Sequence, residues 1–228
     1  MRDTLHVVAV HIVARSRQQA TGRFSLRATP GGFGTPEFGV DGRRVRVAGK
    51  ELVVESDAPG QAVAVLHPIE GATLRELALV CGVDLDAPLD VGRDTPPVGD
   101  VDEPLAIDAD AAAEVMECFA VGAAVLDRVL AVVTPGRSAT LPRLWPEHFD
   151  LAIEVDAHPD RRVNLGVSPG DGYSSEPYVY VGPWTSNRPG DPEFWNAPFG
   201  AFVPMSSLGV DAVGAAASFL LEGVDRLS

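Results

Sequence analysis

A chain of 228 residues that is 46% hydrophobic is long enough to bury one large core or two small ones. Acidic residues outnumber basic ones 32 to 18, giving a formal net charge of -14, so nucleic acid and anionic membranes are repelled and neither is expected as a partner. The two cysteines, Cys81 and Cys118, are too few for a disulfide framework or a four-thiolate zinc site, which fits a reducing cytoplasm.

The apolar run at 5–14 is interrupted by His6 and His11 and followed by Arg15 and Arg17, with no small-residue cleavage pattern. It therefore reads as a helix and not as a signal peptide. No stretch of about 18 apolar residues predicts a membrane span. Asp3 is placed to cap this helix, Leu5, Val8 and Ile12 share a face, and Gly22 ends the pattern after Ala20. His6 and His11, five apart, fall off a common α-helical face. Short β-type runs follow at 23–28, 44–48, 51–55 and 61–67. Turn signals such as Asp41-Gly42 separate them, and together they predict an antiparallel meander. Thr73 and Glu76 form a capping box for a helix ending near Gly82.

Residues 84–110 carry Asp84, Asp86, Asp90, Asp94, Asp100, Asp102, Glu103, Asp108 and Asp110 against Arg93, with four prolines, and read as a solvated acidic connector. A long helix begins at Asp108, with Val115, Phe119, Ala123, Leu126, Leu130 and Val133 as its core stripe, and stops at Pro135-Gly136. Strands are predicted at 149–155, 162–167 and 177–181, with a turn at His158-Pro159-Asp160, and a last helix over 210–227. The pattern is that of an α+β protein in which antiparallel sheets pack with three to four helices. It forms one compact unit, or two halves, 1–83 and 111–228, joined by the connector.

Three short patterns resemble known chemistry and fail on physical grounds, so no cofactor is identified. Gly166-Val167-Ser168-Pro169-Gly170 matches a nucleophile elbow, but Pro169 lacks the backbone N–H that the oxyanion hole needs, and no histidine follows His158. Gly31-Gly32-Phe33-Gly34 has Glu37 where a third phosphate-loop glycine would stand, and reads as a tight glycine loop between strands. An EF-hand starting at Asp84 or Asp100 would put Thr95 or Ala111 where a bidentate glutamate is required.

Ten aromatic rings fall between Trp145 and Phe202, in a proline-rich segment of long loops. They predict a small-molecule pocket walled by Trp145, Tyr178, Tyr180, Trp184 and Trp195, with Asn196, Asp171 and Glu176 as polar contacts. The same rings would otherwise bury irregular loops, or form the interface of a homo-oligomer. Within Leu144-Trp145-Pro146-Glu147-His148-Phe149-Asp150, an imidazole lies between two carboxylates. If the segment is extended, His148 and Asp150 share a face and become the candidate catalytic pair or metal ligands, joined by Asp171, Glu176, His6 or His11. The leading function is small-molecule binding. Its rival is a metal-dependent or general-base enzyme centred on His148.

Residues 22–36, 144–151, 164–170 and 195–200 resemble segments of uncharacterised proteins of high-GC actinobacteria, a resemblance that brings no activity with it. His148-Phe149-Asp150-Leu151-Ala152 resembles the His-x-x-Asp-Leu end of the zinc-ligand helix in mycothiol-dependent maleylpyruvate isomerase-like proteins, which implies a helix there and zinc at His148. The spacing departs from that pattern, since one residue separates His148 from Asp150 and Glu147 is adjacent to the histidine.

Overall fold

A computed structural model describes residues 2–58, 61–89, 91–92 and 94–228. Asp90 and Arg93 of the acidic connector lie outside the described residues. The architecture is α+β, and the described residues form two antiparallel sheets of five strands and four helices. Two compact units share the chain: residues 1–120 with 144–149, and residues 121–143 with 150–228. The connector belongs to the first, and the long helix α4 (Ala109–Val133) has its first half in one unit and its second half in the other.

The first helix has three sections: α1 (Arg2–Val8), a π-helical segment Ala9–Ala14, and α2 (Arg15–Thr21), closed by Gly22 at φ 72°. Asp3 lies within its first turn and is not its cap. Every residue from Val8 to Arg17 is buried, polar ones included, so the helix is enclosed well beyond the one face of Leu5, Val8 and Ile12.

The buried polar groups need internal partners, and they find them on irregular backbone. His6 Nε2 donates to Pro146 O at 2.8 Å, His11 Nε2 to Pro96 O at 2.8 Å, and Arg15 to Leu85 O at 2.9 Å and also to Ala87 O, while exposed Gln19 adds a bond to Asp84 O at 2.7 Å. His6 and His11 thus act apart, on Pro146 and Pro96, in keeping with their spacing off a common face. Hydrogen bonds closing at i→i+5 shift the phase of the helix by about one residue, and His11, Arg15 and Gln19 form a row that secures the connector from Pro96 back to Asp84.

The first sheet is the expected meander, β1 (Arg27–Thr29), β2 (Gly32–Gly34), β3 (Arg44–Ala48), β4 (Glu51–Ala58) and β5 (Gln61–Pro68), paired in chain order. β1 starts later than the run at 23–28 predicts, with Leu26 in an isolated bridge to Leu144. The glycine run is strand β2 and not a loop. A Cβ at Gly32 would stand 2.2 Å from Val47 O, and one at Gly34 2.4 Å from Arg46 Cβ, so only glycine lets β3 approach this closely. Helix α3 (Leu74–Cys81) has the expected capping box of Thr73 and Glu76 and ends at Gly82.

The second sheet runs β10-β9-β8-β7-β6, from β6 (Arg143–Trp145), β7 (Asp150–His158), β8 (Arg161–Ser168), β9 (Tyr178–Pro183) and β10 (Ala201–Pro204). β6 and β10 are too short to stand out from their proline-rich surroundings in the sequence. Leu151, Ile153, Val155, Val163, Leu165, Val167, Val179 and Val181 alternate onto one face and are all at most 1% exposed. Helix α5 (Ala212–Leu227) packs across β7, β8 and β9. A Cβ at Gly223 would lie 2.7 Å from Val181, so this glycine brings helix and sheet together. The last helix begins after Val210, which is fully exposed, because Asp211 is its N-cap, accepting from Gly214 N.

Burial lowers the affinity of His6 and His11 for a proton below the ordinary value of 6.5, outweighing their hydrogen bonds to Pro146 and Pro96. The unfolded chain then binds more protons between the folded value and 6.5, so this contribution to stability is complete above pH 6.5 and is lost as pH falls below it. Thermal unfolding followed between pH 7.5 and 5 should show a falling midpoint, and replacing both histidines by glutamine, which keeps an N–H donor, should flatten that fall.

Candidate functional site

The face of the second sheet opposite α5 carries the other residue of each alternating pair: Asp150, Ala152, Glu154 and Asp156 on β7; Arg162, Asn164, Gly166 and Ser168 on β8; Tyr178 and Tyr180 on β9. Strand register puts Ala152, Gly166 and Tyr180 in one row and Glu154, Asn164 and Gly182 in the next. A Cβ at Gly166 would lie 2.5 Å from Cζ of Tyr180 and 2.6 Å from its hydroxyl. The ring therefore lies flat over the Gly166 backbone, and its hydroxyl donates to Asp150 Oδ2. Tyr178 points the same way and donates to Asp171 Oδ2 at 2.6 Å, with its ring 6.2 Å from that of Tyr180. The sequence alternation that puts these tyrosines on one face is thus realised.

Burial first, and then the negative charges of Asp150 and Asp171, hold both phenols protonated far above their ordinary range. Neither tyrosine is a base or a nucleophile at neutral pH. Each phenol spends its proton on a carboxylate and keeps oxygen lone pairs as acceptors. Asp171 also accepts from the backbone N–H of Tyr173 at 2.7 Å and of Ser174 at 3.1 Å, so the loop after Gly170 fixes its position.

Tyr173 closes one end of the cluster, 4.9 Å from Phe199 and 5.1 Å from Phe202, and is 44% exposed. At the other end Trp184, 58% exposed, donates Nε1 to Asn164 Oδ1 at 2.7 Å and stacks under the Arg162 guanidinium at 5.1 Å. Arg162 in turn lies 3.5 Å from Glu154 and 3.2 Å from Asp156. An open depression at the tip of the β7–β8 hairpin, lined by Arg137, Ser138, Asp156 and His158, adjoins this last group.

The remaining candidates lie elsewhere. Glu176 accepts from Ser206 Oγ at 2.6 Å. Trp195 donates Nε1 to Pro189 O at 2.9 Å and lies under Arg188 at 5.6 Å, which folds the 184–200 loop onto itself. Asn196 donates to Phe202 O at 3.0 Å and accepts from Phe202 N at 2.9 Å, acting as a surrogate strand beside β10. Trp145 belongs to the first unit, where its ring centroid is 6.3 Å from Phe24.

His148 also belongs to the first unit. Residues 146–149 form a turn in which Phe149 N bonds Trp145 O at 2.8 Å and Phe149 takes a left-handed φ of 53°. The extended segment assumed for the His148–Asp150 pair is therefore absent, and so is the helix implied by the isomerase-like pattern. His148 Nδ1 lies 3.1 Å from Asp94 Oδ2 instead, while Asp150 opens β7 and receives Tyr180. Phe149 is buried between the ring of His6, stacked at 5.1 Å, and the edges of Phe33 and Phe119. Among the described residues no group of three or more His, Cys, Asp or Glu side chains stands in a metal-binding arrangement. Cys81 is buried, its thiol pushed up to about 12, and burial pushes Cys118 up as well, so neither is a thiolate at neutral pH.

Sequence reading misses Phe199, Phe202 and the role of Gly166. A glycine inside a β pattern signals a close approach, but nothing in the sequence names the ring that approaches it. No family model, curated protein or solved structure matches the chain, so its site rests on geometry.

The Tyr180–Asp150 contact can be measured directly. Tyr180→Phe leaves a buried carboxylate short of a donor and should cost about 1–3 kcal/mol. A double-mutant cycle with Asp150→Ala, read by denaturant unfolding, should return a coupling of about 0.5–3 kcal/mol, and additivity of the two changes would deny the bond. Gly166→Ala should match or exceed the Tyr180→Phe loss, because the new Cβ expels the ring.

Proposed function

We propose that this chain binds a small molecule on the tyrosine–carboxylate face of its second unit, and that the ligand is a flat, cationic, hydrogen-bond-donating compound such as an aromatic or cyclic amine. The observation that carries the reading is the pair of tyrosine hydroxyls on Asp150 and Asp171. Phenylalanine would fill the same space without the cost of desolvating a hydroxyl and a carboxylate, so the polar array calls for a use beyond packing.

The charge and the exposed rings give the ligand class. Glu154, Asp156 and Asp171 lie on this face with Arg162, beside buried Asp150, and this excess of acid among the described residues favours a cation. Tyr173 and Trp184 supply exposed aromatic faces on which a flat or cationic group stacks.

A thermal-shift panel of amines, polyols and carboxylates tests the reading. Amines at about a hundred times their Kd should raise the unfolding midpoint by about 5 °C or more, carboxylates should not, and Tyr173→Ala with Trp184→Ala should remove the shift while leaving the free protein folded. Indifference to every amine, or a shift that survives both substitutions, would sink it.

The rival enzyme reading has the His148–Asp94 contact in its favour, because a carboxylate at 3.1 Å orients an imidazole for metal binding or base catalysis. Elemental analysis of protein purified without chelators, beside His148→Ala, separates the two. Stoichiometric zinc, manganese or iron that is lost in the variant supports the enzyme. Metal absent from both leaves the binding reading in place.

A further inference from the structure

The four sheet edges of the chain are not alike. β1 and β6 have three residues each and β10 has four, with Leu26 bridged to Leu144 beside β6 and Asn196 bonded to the backbone of β10. Short or covered edges are the usual protection against strand addition. β5 has eight residues, ends its sheet, and reads Gln-Ala-Val-Ala-Val-Leu-His-Pro, with no Asp, Glu, Lys or Arg along it.

Its apolar side chains continue the core face outward. Phe33, Val45, Val47 and Leu52 are fully buried, and across the register Val54, Val65 and Val63 follow on the same face. Val65 is 43% exposed and Val63 49%, while Leu66 on the opposite face is 64% exposed. A water-facing strand normally carries polar side chains along at least one face. Here the polar residues are the near-terminal Gln61 and His67, and the residues between them, 62–66, are all apolar.

The hydrogen-bond phase of the edge follows from its partner strand. Ile69 N bonds Lys50 O at 2.9 Å, and bonded pairs recur every second residue in an antiparallel ladder. The odd-numbered residues of β5 are therefore paired with β4, and the backbone N–H and C=O groups of Ala62, Ala64 and Leu66 point outward, followed by Pro68, which has no N–H to offer.

We propose that β5 is a homodimer edge: two copies of this chain join antiparallel about a two-fold axis at Ala64, extending the two first sheets into one. In this register Ala64 meets Ala64, and Ala62 meets Leu66. All the outward N–H and C=O groups of that stretch find partners, and Pro68 lies beyond the pairing. Val63 and Val65 of each copy meet across the axis in the closer, non-bonded positions, so the valines become one apolar strip.

The absence of charge along β5 makes it the edge at which a second copy can approach. A chain of net charge -14 repels itself almost everywhere, and this strand is a long uncharged edge. Two of the three acids of adjacent β4 are already neutralised, Glu55 by Arg44 at 3.2 Å and Arg46 at 3.1 Å, and Asp57 by Arg44 at 2.7 Å. A two-fold pairing also closes, consuming both edges and leaving none to propagate.

Sedimentation velocity of the full chain across a wide concentration range, with circular dichroism as the fold control, tests the dimer. The wild type should pass from monomer to dimer with rising concentration, since one strand edge is a small interface. Val63→Lys with Val65→Lys, at exposed positions, should weaken association at least about tenfold by setting like charges opposite each other. Ala64→Cys should form an intermolecular disulfide under mild oxidation, because a bonded antiparallel pair sets Cα atoms about 5.5 Å apart, whereas Leu79→Cys on exposed α3 should not. A chain that stays monomeric throughout overturns the proposal and leaves the edge to a foreign peptide. A dimer indifferent to the lysines, or Ala64→Cys that crosslinks no better than Leu79→Cys, overturns it as well.

Discussion

Burial of the first helix from Val8 to Arg17 is the constraint around which the first unit is organised. A helix enclosed on all sides cannot leave polar side chains to water. His11 and Arg15 therefore take backbone carbonyls of neighbouring irregular segments, half-buried His6 and exposed Gln19 add bonds at either end, and those segments are held in place by the same bonds. The π-helical turn at Ala9–Ala14 belongs to this arrangement, since it alters the phase at which side chains leave the axis. An acidic, proline-rich connector that reads as a solvated spacer is thereby fixed to a buried helix at Asp84, Leu85, Ala87 and Pro96, and the turn at 146–149 is held by His6 through the Pro146 carbonyl and the Phe149 ring.

In the second unit the organising fact is the strict alternation of one sheet. Its apolar face accepts α5, with Gly223 letting the helix settle on Val181. Its other face carries the carboxylates, the tyrosines and Trp184. Gly166 makes the site possible on that face: a side chain there would occupy the volume of the Tyr180 ring, and the Tyr180–Asp150 bond would be lost. Two glycines on opposite faces of the sheet thus serve different ends, one closing the core and the other shaping a buried tyrosine–carboxylate cluster.

The aromatic residues divide in a way that composition does not announce. Phe149 is core in the first unit, Trp195 is a loop staple, and Tyr173, Tyr178, Tyr180, Phe199 and Phe202 form one edge-to-face cluster. For the rings that carry a polar atom, what lies within its reach separates these fates. The indole N–H of Trp195 is met by a carbonyl of its own loop, while the tyrosine hydroxyls are met by carboxylates from other strands.

Periodicity and punctuation in the sequence determine the class of the fold: Gly22 and Gly82 end helices, Thr73 with Glu76 starts one, and alternation marks β3, β4, β5, β7, β8 and β9. These signals are local, and the physics behind them acts over a few residues. Alternation likewise puts Tyr178 and Tyr180 on one side. Tertiary structure alone decides that Gly32–Gly34 is a strand, that Phe149 turns left-handed and sends His148 to Asp94 and Asp150 to Tyr180, and that the buried helix secures the connector. Each of those outcomes depends on a partner far away in sequence, whose approach no local pattern encodes.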